Sequence, residues 1–548
     1  MGSNWAAAKS VPERCIEHCK LFSPDCEFVK DKLVRTWVAD DCIEMESERM
    51  EDLGKFYFDA LIQDGIIVSS KWDVSLRQMK YKVNTDALVF KPGDDNNNNN
   101  EYLIIDDHNY RRNLAADLEE ALHLTWLCNR FNHRSPFSHV VTTDFKHLHM
   151  LRLQGCFELP NAIFWGLKHL RSLDMSRSCI SELPSSIGGL ESLRYLDISG
   201  TTVSELPHSL PRLYFLQTLN LKFCSNIVAL PREFGRLVNL RHLDLDIVYQ
   251  LKYSMPRGMG NLVRLQTLPG FIVGKNGDGC GIGELKNMNQ ITGSFCISRL
   301  ENVSNAEEAK EAALSDKKYI DKLKLIWRNH DNYINSIEET TEILESLQPH
   351  FHLKELDLTS YPGSKLPGWI SNPGYTNIIS IDLYSCMNCD LLPSIGQLPA
   401  LKTLRIVDMR NVRSINSRFC RNSKAPVVKP AFPRLETFIL NEMHNLEKWS
   451  GVEDGDFRCL RRLHIANCPK LLVLPSQSRF RSLQQLEIYR CTRLSSFRRW
   501  LLPASVESLI ISGCRKLSNM MRQDCLCWKH MGIASAAQNQ WIDLKKDL

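Results

Sequence analysis

The chain has 548 residues, 43% apolar and 24% charged, an ordinary globular balance that excludes a largely disordered or collagen-like chain. Lys and Arg number 68 against 63 Asp and Glu, and a net charge of +5 offers none of the basic excess of a dedicated nucleic-acid binder. Apolar runs all fall short of the roughly 18 residues that a membrane-spanning helix needs, so no membrane span is expected.

The chain opens Met1-Gly2-Ser3-Asn4-Trp5-Ala6, without a basic start and long apolar core, so no secretory signal is expected. Ala6 stands where a myristoylation motif wants Ser or Thr. The 19 cysteines are odd in number and spread along a long chain. They read as reduced thiols of a cytoplasmic or nuclear protein, most of them buried as small hydrophobes.

Residues 1–90 read as a small α+β winged-helix domain. Leu33, Val34, Trp37 and Val38 recur at helical spacing within 30–39, and Leu53, Phe56, Tyr57, Ala60 and Leu61 within 50–63, where Gly65 then stops the helix. Residues 66–68 and 79–83 read as two short strands. Winged helices often bind DNA, but these helices carry acids as well as bases, which speaks against it. Cys15, His18 and Cys19 sit on one expected helix and suggest a nucleophile and base; with no orienting third group evident, they read as packing residues. Residues 91–115, with Asn96 to Asn100, read as a disordered linker.

A repeat then dominates. Leu170-Arg171-Ser172-Leu173-Asp174-Met175 recurs from Leu193, Leu216 and Leu240, and again from Leu353, Ile378, Leu401, Leu435, Leu460, Leu483 and Val506. The pattern L-x-x-L-x-L, mostly at 23–25-residue steps, is the leucine-rich-repeat signature. No single repeat can bury its leucines. Stacked repeats bury them together, so the expected fold is an α/β solenoid with parallel strands on its concave face and the x positions facing solvent. The blocks fall at 116–269 and 351–524. Between them, 270–350 reads as a degenerate repeat with a flexible glycine-rich loop near 270–283, a helix near 307–314 and a strand at 322–327. The tail 525–548 leaves the pattern.

Cys156, Cys179, Cys224, Cys386, Cys468, Cys491 and Cys514 follow their strands by a few residues, where the repeat takes Asn or Cys. Cys386 and Cys389 form a C-x-x-C, but no second pair lies near, so no metal site is expected. Leu-Pro pairs such as Leu183-Pro184 and Leu366-Pro367 suit the irregular convex side. The glycines fit neither phosphate-binding loop pattern, and hydrolase, zinc-protease and kinase signatures are absent from the sequence, so no catalytic residue is expected. The expected partner-binding residues are Arg171, Arg194, Tyr195, Asp197, Arg241, His242 and Asp244 in the first block. In the second they are Arg405, Arg461, Arg462, His464, Gln484, Glu487 and Tyr489. Arg and Tyr give large, geometrically defined contacts at protein interfaces.

The segment from Cys15 to Phe28, with Leu33-Val34-Arg35-Thr36-Trp37-Val38-Ala39, resembles the winged helix of plant nucleotide-binding leucine-rich-repeat disease-resistance proteins of the coiled-coil group. The segments 51–61, 282–287 and 297–303 resemble further parts of that family. The resemblance implies an intracellular immune receptor whose repeats restrain it and sense a pathogen effector or a guarded host protein. It also implies an ADP/ATP switch domain and a signalling coiled coil; neither is evident, so the chain reads as N-terminally truncated with no cofactor of its own. Val83-Asn84-Thr85 stands where the family has Met-His-Asp, whose His contacts the ADP phosphate. A full-length paralogue is a further partner in this reading. The alternative is a non-immune repeat module, such as a substrate receptor of a ubiquitin ligase.

Overall fold

A computed structural model describes residues 11–20, 26–43, 49–73, 78–84, 87, 148–153, 164, 167–246, 254–275, 279–328, 336–421, 430–475, 479–495 and 505–517, and the strands 102–105 and 110–112. It divides into two units, Met1–Leu268 and Pro269–Leu548.

The first unit begins with the winged helix, in the expected order. Helix α1 (Glu13–Lys20) precedes β1 (Phe28–Val29), α2 (Lys30–Ala39), α3 (Met50–Gln63), β2 (Ile67–Asp73) and β3 (Gln78–Val83). The strands form an antiparallel sheet in the order β1-β3-β2. Leu33, Val34, Trp37 and Val38 of α2 all turn inward, and Phe58 of α3 meets Trp37 and, edge to face at 4.9 Å, Tyr81. Gly54 lets α3 approach α2, since a Cβ there would lie 2.7 Å from Val34 and Ile43 side-chain carbons. Gly65 ends the helix at φ +74.

The stretch expected to be linker contains two strands, β4 (Tyr102–Ile105) and β5 (Tyr110–Arg112). β4 pairs in parallel with β6 (Met150–Leu153), so the repeat sheet starts inside the segment whose composition suggested disorder. It continues through β7 (Ser172–Asp174), β8 (Tyr195–Asp197), β9 (Thr218–Asn220) and β10 (His242–Asp244). Each central leucine, Leu173, Leu196, Leu219 and Leu243, is fully buried.

The second unit carries a ten-stranded parallel sheet. It begins with β11 (Gly270–Ile272) and β12 (Gly293–Ser298), so the glycine-rich segment is not a loop throughout. After α4 (Ala306–Glu311) comes β13 (Ile320–Ile326), as expected. Helix α5 (Ile337–Ser346) carries a capping box, Ser336 with Glu339, that sequence reading passed over. The sheet continues with β14 (Glu355–Thr359), β15 (Ser380–Tyr384) and β16 (Thr403–Val407). A side ladder of β17 (Ser414–Ile415) and β19 (Lys448–Trp449) flanks β18 (Thr437–Asn441), and β20 (Arg462–Ala466), β21 (Gln485–Tyr489) and β22 (Ser508–Ser512) complete the sheet. Pro184 and Pro367 lead into 3₁₀ turns at Ser185–Gly189 and Gly368–Ser371, where a missing N–H costs nothing.

The cysteine register holds with one correction. Cys224, Cys386, Cys468, Cys491 and Cys514 are buried, and Cys224 points its thiol at the Ile198 carbonyl, 3.0 Å away. Cys179 is exposed; the slot in its repeat belongs to Ser178, whose hydroxyl donates to the Met175 carbonyl at 2.6 Å. Cys156 lies outside the described residues, as do the asparagine run and the tail. Burial pushes the Cys386 thiol up to about 12 and raises Cys389 as well, so both stay protonated. No metal-holding cluster occurs among the described residues.

Candidate functional site

The outer face of the first sheet is covered by the winged helix. Lys32 of α2 reaches Asp174 and Asp197, each at 2.9 Å, and the Ser176 hydroxyl at 3.2 Å. Arg35, one helical turn on, pairs with Asp244 and donates to Thr267 Oγ1 at 3.4 Å. Asp41, just past the end of α2 at φ +54, receives Arg171 at 3.2 Å and pairs with Arg194, whose guanidinium also reaches the Ala39 carbonyl at 3.3 Å. Glu51, in the first turn of α3, accepts two 2.6 Å bonds from the Arg241 fork, one of 3.0 Å from His242 Nε2 and one of 3.3 Å from Gln266. The helix N-terminus favours a carboxylate there.

Six of the seven residues expected as a free surface in the first block therefore contact the winged helix directly: Arg171, Arg194, Asp197, Arg241, His242 and Asp244. Tyr195 joins through its hydroxyl, which donates to Asp197 at 3.1 Å. The expectation that these strand positions face solvent is corrected: Tyr195 is 1% exposed and Asp197 0%. The partners, Lys32, Arg35, Asp41 and Glu51, were missed. Their signal was a charged stripe on helices whose opposite stripe is apolar, which also describes an ordinary solvated face.

The charges are set by their pairing. Burial would raise the Glu51 carboxyl, but His242 and Arg241 outweigh it and hold it well below the usual carboxylate range. Burial would lower the Lys32 ammonium, yet Asp174 and Asp197 keep it above its ordinary value. Burial, followed by the Arg35 charge, pushes His242 down to about 4. At neutral pH the imidazole is therefore uncharged, with Nε2–H donating to Glu51 and Nδ1 accepting from Thr267 at 2.9 Å.

The outer face of the second sheet presents one side chain from every second residue. Its central row runs in register through Lys324, Asp357, Asp382, Arg405, Ile439, His464, Glu487 and Ile510. Lys324 pairs with Asp357 at 3.1 Å, Arg405 approaches Asp382 at 3.7 Å, and His464 Nδ1 meets Glu487 at 2.8 Å. Beside this row, Lys322 pairs with Glu355 at 2.9 Å. Arg405, Arg462, His464, Glu487 and Tyr489 thus share one face, as expected. Arg461 and Gln484 precede their strands by a residue; Arg461 is exposed and Gln484 half-buried. Tyr384, 49% exposed on β15, belongs to the same face and was missed.

A family model for the disease resistance protein winged-helix domain matches residues 21–85. A leucine-rich-repeat model matches 131–210, and a model of R13L1/DRL21 leucine-rich repeats matches 282–409. The disease resistance RPP13-like protein 1 of Arabidopsis thaliana is 31% identical over 84% of this chain and 44% of its own length. The disease resistance protein RGA2 of Solanum bulbocastanum is 29% identical over 85% of this chain and 44% of its own. The chain carries the winged-helix and leucine-rich-repeat domains of plant disease-resistance proteins. It spans less than half the length of these two relatives. Among solved structures, a leucine-rich-repeat protein from Leptospira interrogans aligns at 22% identity with a TM-score of 0.41, covering 67% of this chain and 90% of that one.

Of the stretch read against the family's Met-His-Asp, Val83 and Asn84 are among the described residues. Val83 is buried, and Asn84 spends its side-chain N–H on the Gly65 carbonyl at 3.1 Å and its backbone N–H on Ile66 at 2.8 Å. Thr85 lies outside the described residues. Asn84 thus offers an engaged, uncharged amide where the resemblance places an imidazole. In α1, His18 Nε2 lies 3.1 Å from Asp40, so an orienting group for His18 exists after all. The trio is fully enclosed, however, and burial pushes the Cys19 thiol up to about 12, which leaves it a poor nucleophile.

The depressed His242 predicts a pH dependence. An undocked His242 titrates near 6.5, the docked one near 4. Below 6.5 the undocked state gains a proton that the docked state does not, so docking weakens as pH falls from about 6.5 to about 4. Hydrogen exchange of α3 should show protection falling through that window. His242→Gln should flatten the slope; an unchanged slope in that variant would assign the titration elsewhere.

Proposed function

We propose that this chain acts in plant immunity as part of a receptor that recognises a pathogen effector or a guarded host protein through the open face of its second repeat sheet. It acts by binding, in the cytoplasm or nucleus. The observation that carries this reading is the asymmetry between the two faces. The first sheet spends its polar strand residues on the chain's own winged helix, whereas the second presents Arg405, Arg462, His464, Glu487 and Tyr489, exposed or half-buried, on one face available to a protein partner. The family's ADP/ATP switch, when present in the same polypeptide or in a full-length paralogue, would act on the winged helix. Clamping that domain on the first sheet would hold the receptor at rest until a partner engages the second.

The test is a resistance assay in a susceptible plant line complemented with the gene. The triple variant Arg405→Glu, Arg462→Glu, Tyr489→Ala alters exposed or half-buried side chains and should melt within a few degrees of wild type, because such surface changes usually stay within about 0.5 kcal/mol each. Losing interface anchors costs about 1–2 kcal/mol apiece, so partner-dependent resistance should disappear. Full resistance from the folded triple variant would sink the proposal.

A further inference from the structure

The whole-chain charge of +5 hides a steep gradient. Residues 457–517 hold twelve Lys or Arg and two Asp or Glu, a local net of +10, so the rest of the chain sums to −5. One row of this charge replaces a structural residue. Two positions after the buried slot, Asn226, Asn388 and Asn445 each donate a side-chain N–H to a carbonyl of the preceding repeat, at 3.1, 2.7 and 2.8 Å. In the last three described repeats that position is Lys470, Arg493 and Lys516, all exposed. Lys470 still reaches back to Asn445 Oδ1, at 2.7 Å. Arg493 and Lys516 make no ion pair among the described residues, nor do Arg461, Arg462 and Arg490 nearby. Thr492 takes over a stacking bond, to the Pro469 carbonyl at 3.3 Å. The exchange thus removes a fold-supporting amide and installs cations one strand spacing apart, about 5 Å, where like charges repel.

We infer that the last repeats of the second sheet, with the Lys470–Arg493–Lys516 row as their edge, are a docking surface for an acidic polypeptide segment. The inference rests on the protein-binding reading above and names the chemistry of the partner. Carboxylates on one side of an extended chain recur about 6.7 Å apart, which the long, exposed Lys and Arg side chains of a row spaced about 5 Å can reach, and arginine forks grip carboxylates in paired hydrogen bonds. Glu487, the one described strand acid here, is already paired with His464 at 2.8 Å, so it does not neutralise the row. A nucleic acid fits less well. Single strands are held by aromatic platforms between the cations, and among the described residues of these repeats only Tyr489 and its neighbour His464, both half-buried, could serve.

The purified full chain should bind a labelled glutamate oligopeptide of about twelve residues and not its glutamine counterpart, with affinity falling as salt rises. The triple reversal Lys470→Glu, Arg493→Glu, Lys516→Glu should weaken that binding about tenfold or more. The neutral triple with Gln at the three positions should fall between, and the reversal Arg212→Glu with Arg232→Glu in the first unit should change nothing. Peptide binding that survives the triple reversal overturns the inference. So does a thymidine oligonucleotide of similar length binding more than about tenfold tighter than the peptide, which would make the row a phosphate surface. The assay needs no plant response, so its failure leaves the immune reading to stand or fall on the resistance assay alone.

Discussion

Glu51→Lys is expected to release the winged helix from the first repeat sheet. Glu51 is 4% exposed and accepts from Arg241, His242 and Gln266. A lysine there removes all these bonds and sets an ammonium against an enclosed guanidinium with no anion between them. Breaking one partner of a buried pair costs about 3–5 kcal/mol, most of it the penalty of the charge left behind. The new cation also sits at the N-terminus of α3, which costs up to about 1 kcal/mol more. The fold of the winged helix should survive, because its own core of Trp37, Phe58, Leu61 and Ile67 does not touch this position's chemistry. Hydrogen exchange should show exposure of α3 and of the outer face of β10, with the winged-helix core still protected. The double variant Glu51→Lys with Arg241→Glu restores an opposite-charge pair and should recover part of the protection. Full protection in the single variant would mean the apolar contacts alone hold the domains together.

The clamp explains which parts of this molecule could be read from sequence. Leucines at a 23–25-residue step leave one way to be buried, so the stacked parallel strands were legible from the repeat at Leu170 to that at Leu240 and from Leu353 to Val506. Apolar spacing likewise gave α2 and α3. Reading failed where a residue's role depends on what lies across a gap in sequence. Arg241 and Arg461 hold the same place in their repeats, yet one is spent on Glu51, 190 residues away, and the other is exposed. Local backbone demands were also hidden. Arg177, Phe223, Ser360, Ser385, Asp408, Glu442 and Arg490 all leave their strands at positive φ, where only Gly200, Asn467 and Gly513 carry the expected residue type. The next repeat compensates: the N–H of Ser385 reaches Val407 at 2.9 Å and that of Arg490 reaches Ser512 at 2.8 Å. Stacking between repeats thus overrides local preference. The strands at 102–105 and 110–112 were missed because they lie beside a polar run that dominates the composition.

Lys32→Met should reverse the pH dependence of the same interface. In the native protein Lys32 stands 2.9 Å from both Asp174 and Asp197. Methionine keeps the length of the stem and removes the charge. Asp174 retains Arg152 at 3.2 Å, so the larger loss falls on Asp197, fully buried and left with the Tyr195 hydroxyl and the Ser199 backbone N–H as donors but no cation. An uncompensated buried carboxylate costs about 3–5 kcal/mol at neutral pH. Without a cation beside it, burial favours the neutral carboxyl in the docked variant more than in the released one. A raised carboxyl contributes stability below the released pKa and loses it as pH climbs through the docked one. The variant's deficit should therefore shrink as pH falls from 7 toward about 5. The native interface moves the other way, because Asp174, held low by Lys32 and Arg152 against the effect of burial, resists protonation while the released state accepts it. The His242 effect is common to both proteins, so the difference between their melting curves at each pH reports on the two carboxylates that lose Lys32, Asp197 and Asp174. Lys32→Glu, which adds a third carboxylate, should be worse at pH 7 and recover more steeply. A deficit independent of pH would mean that Asp197 finds another cation, or water, once the lysine is gone.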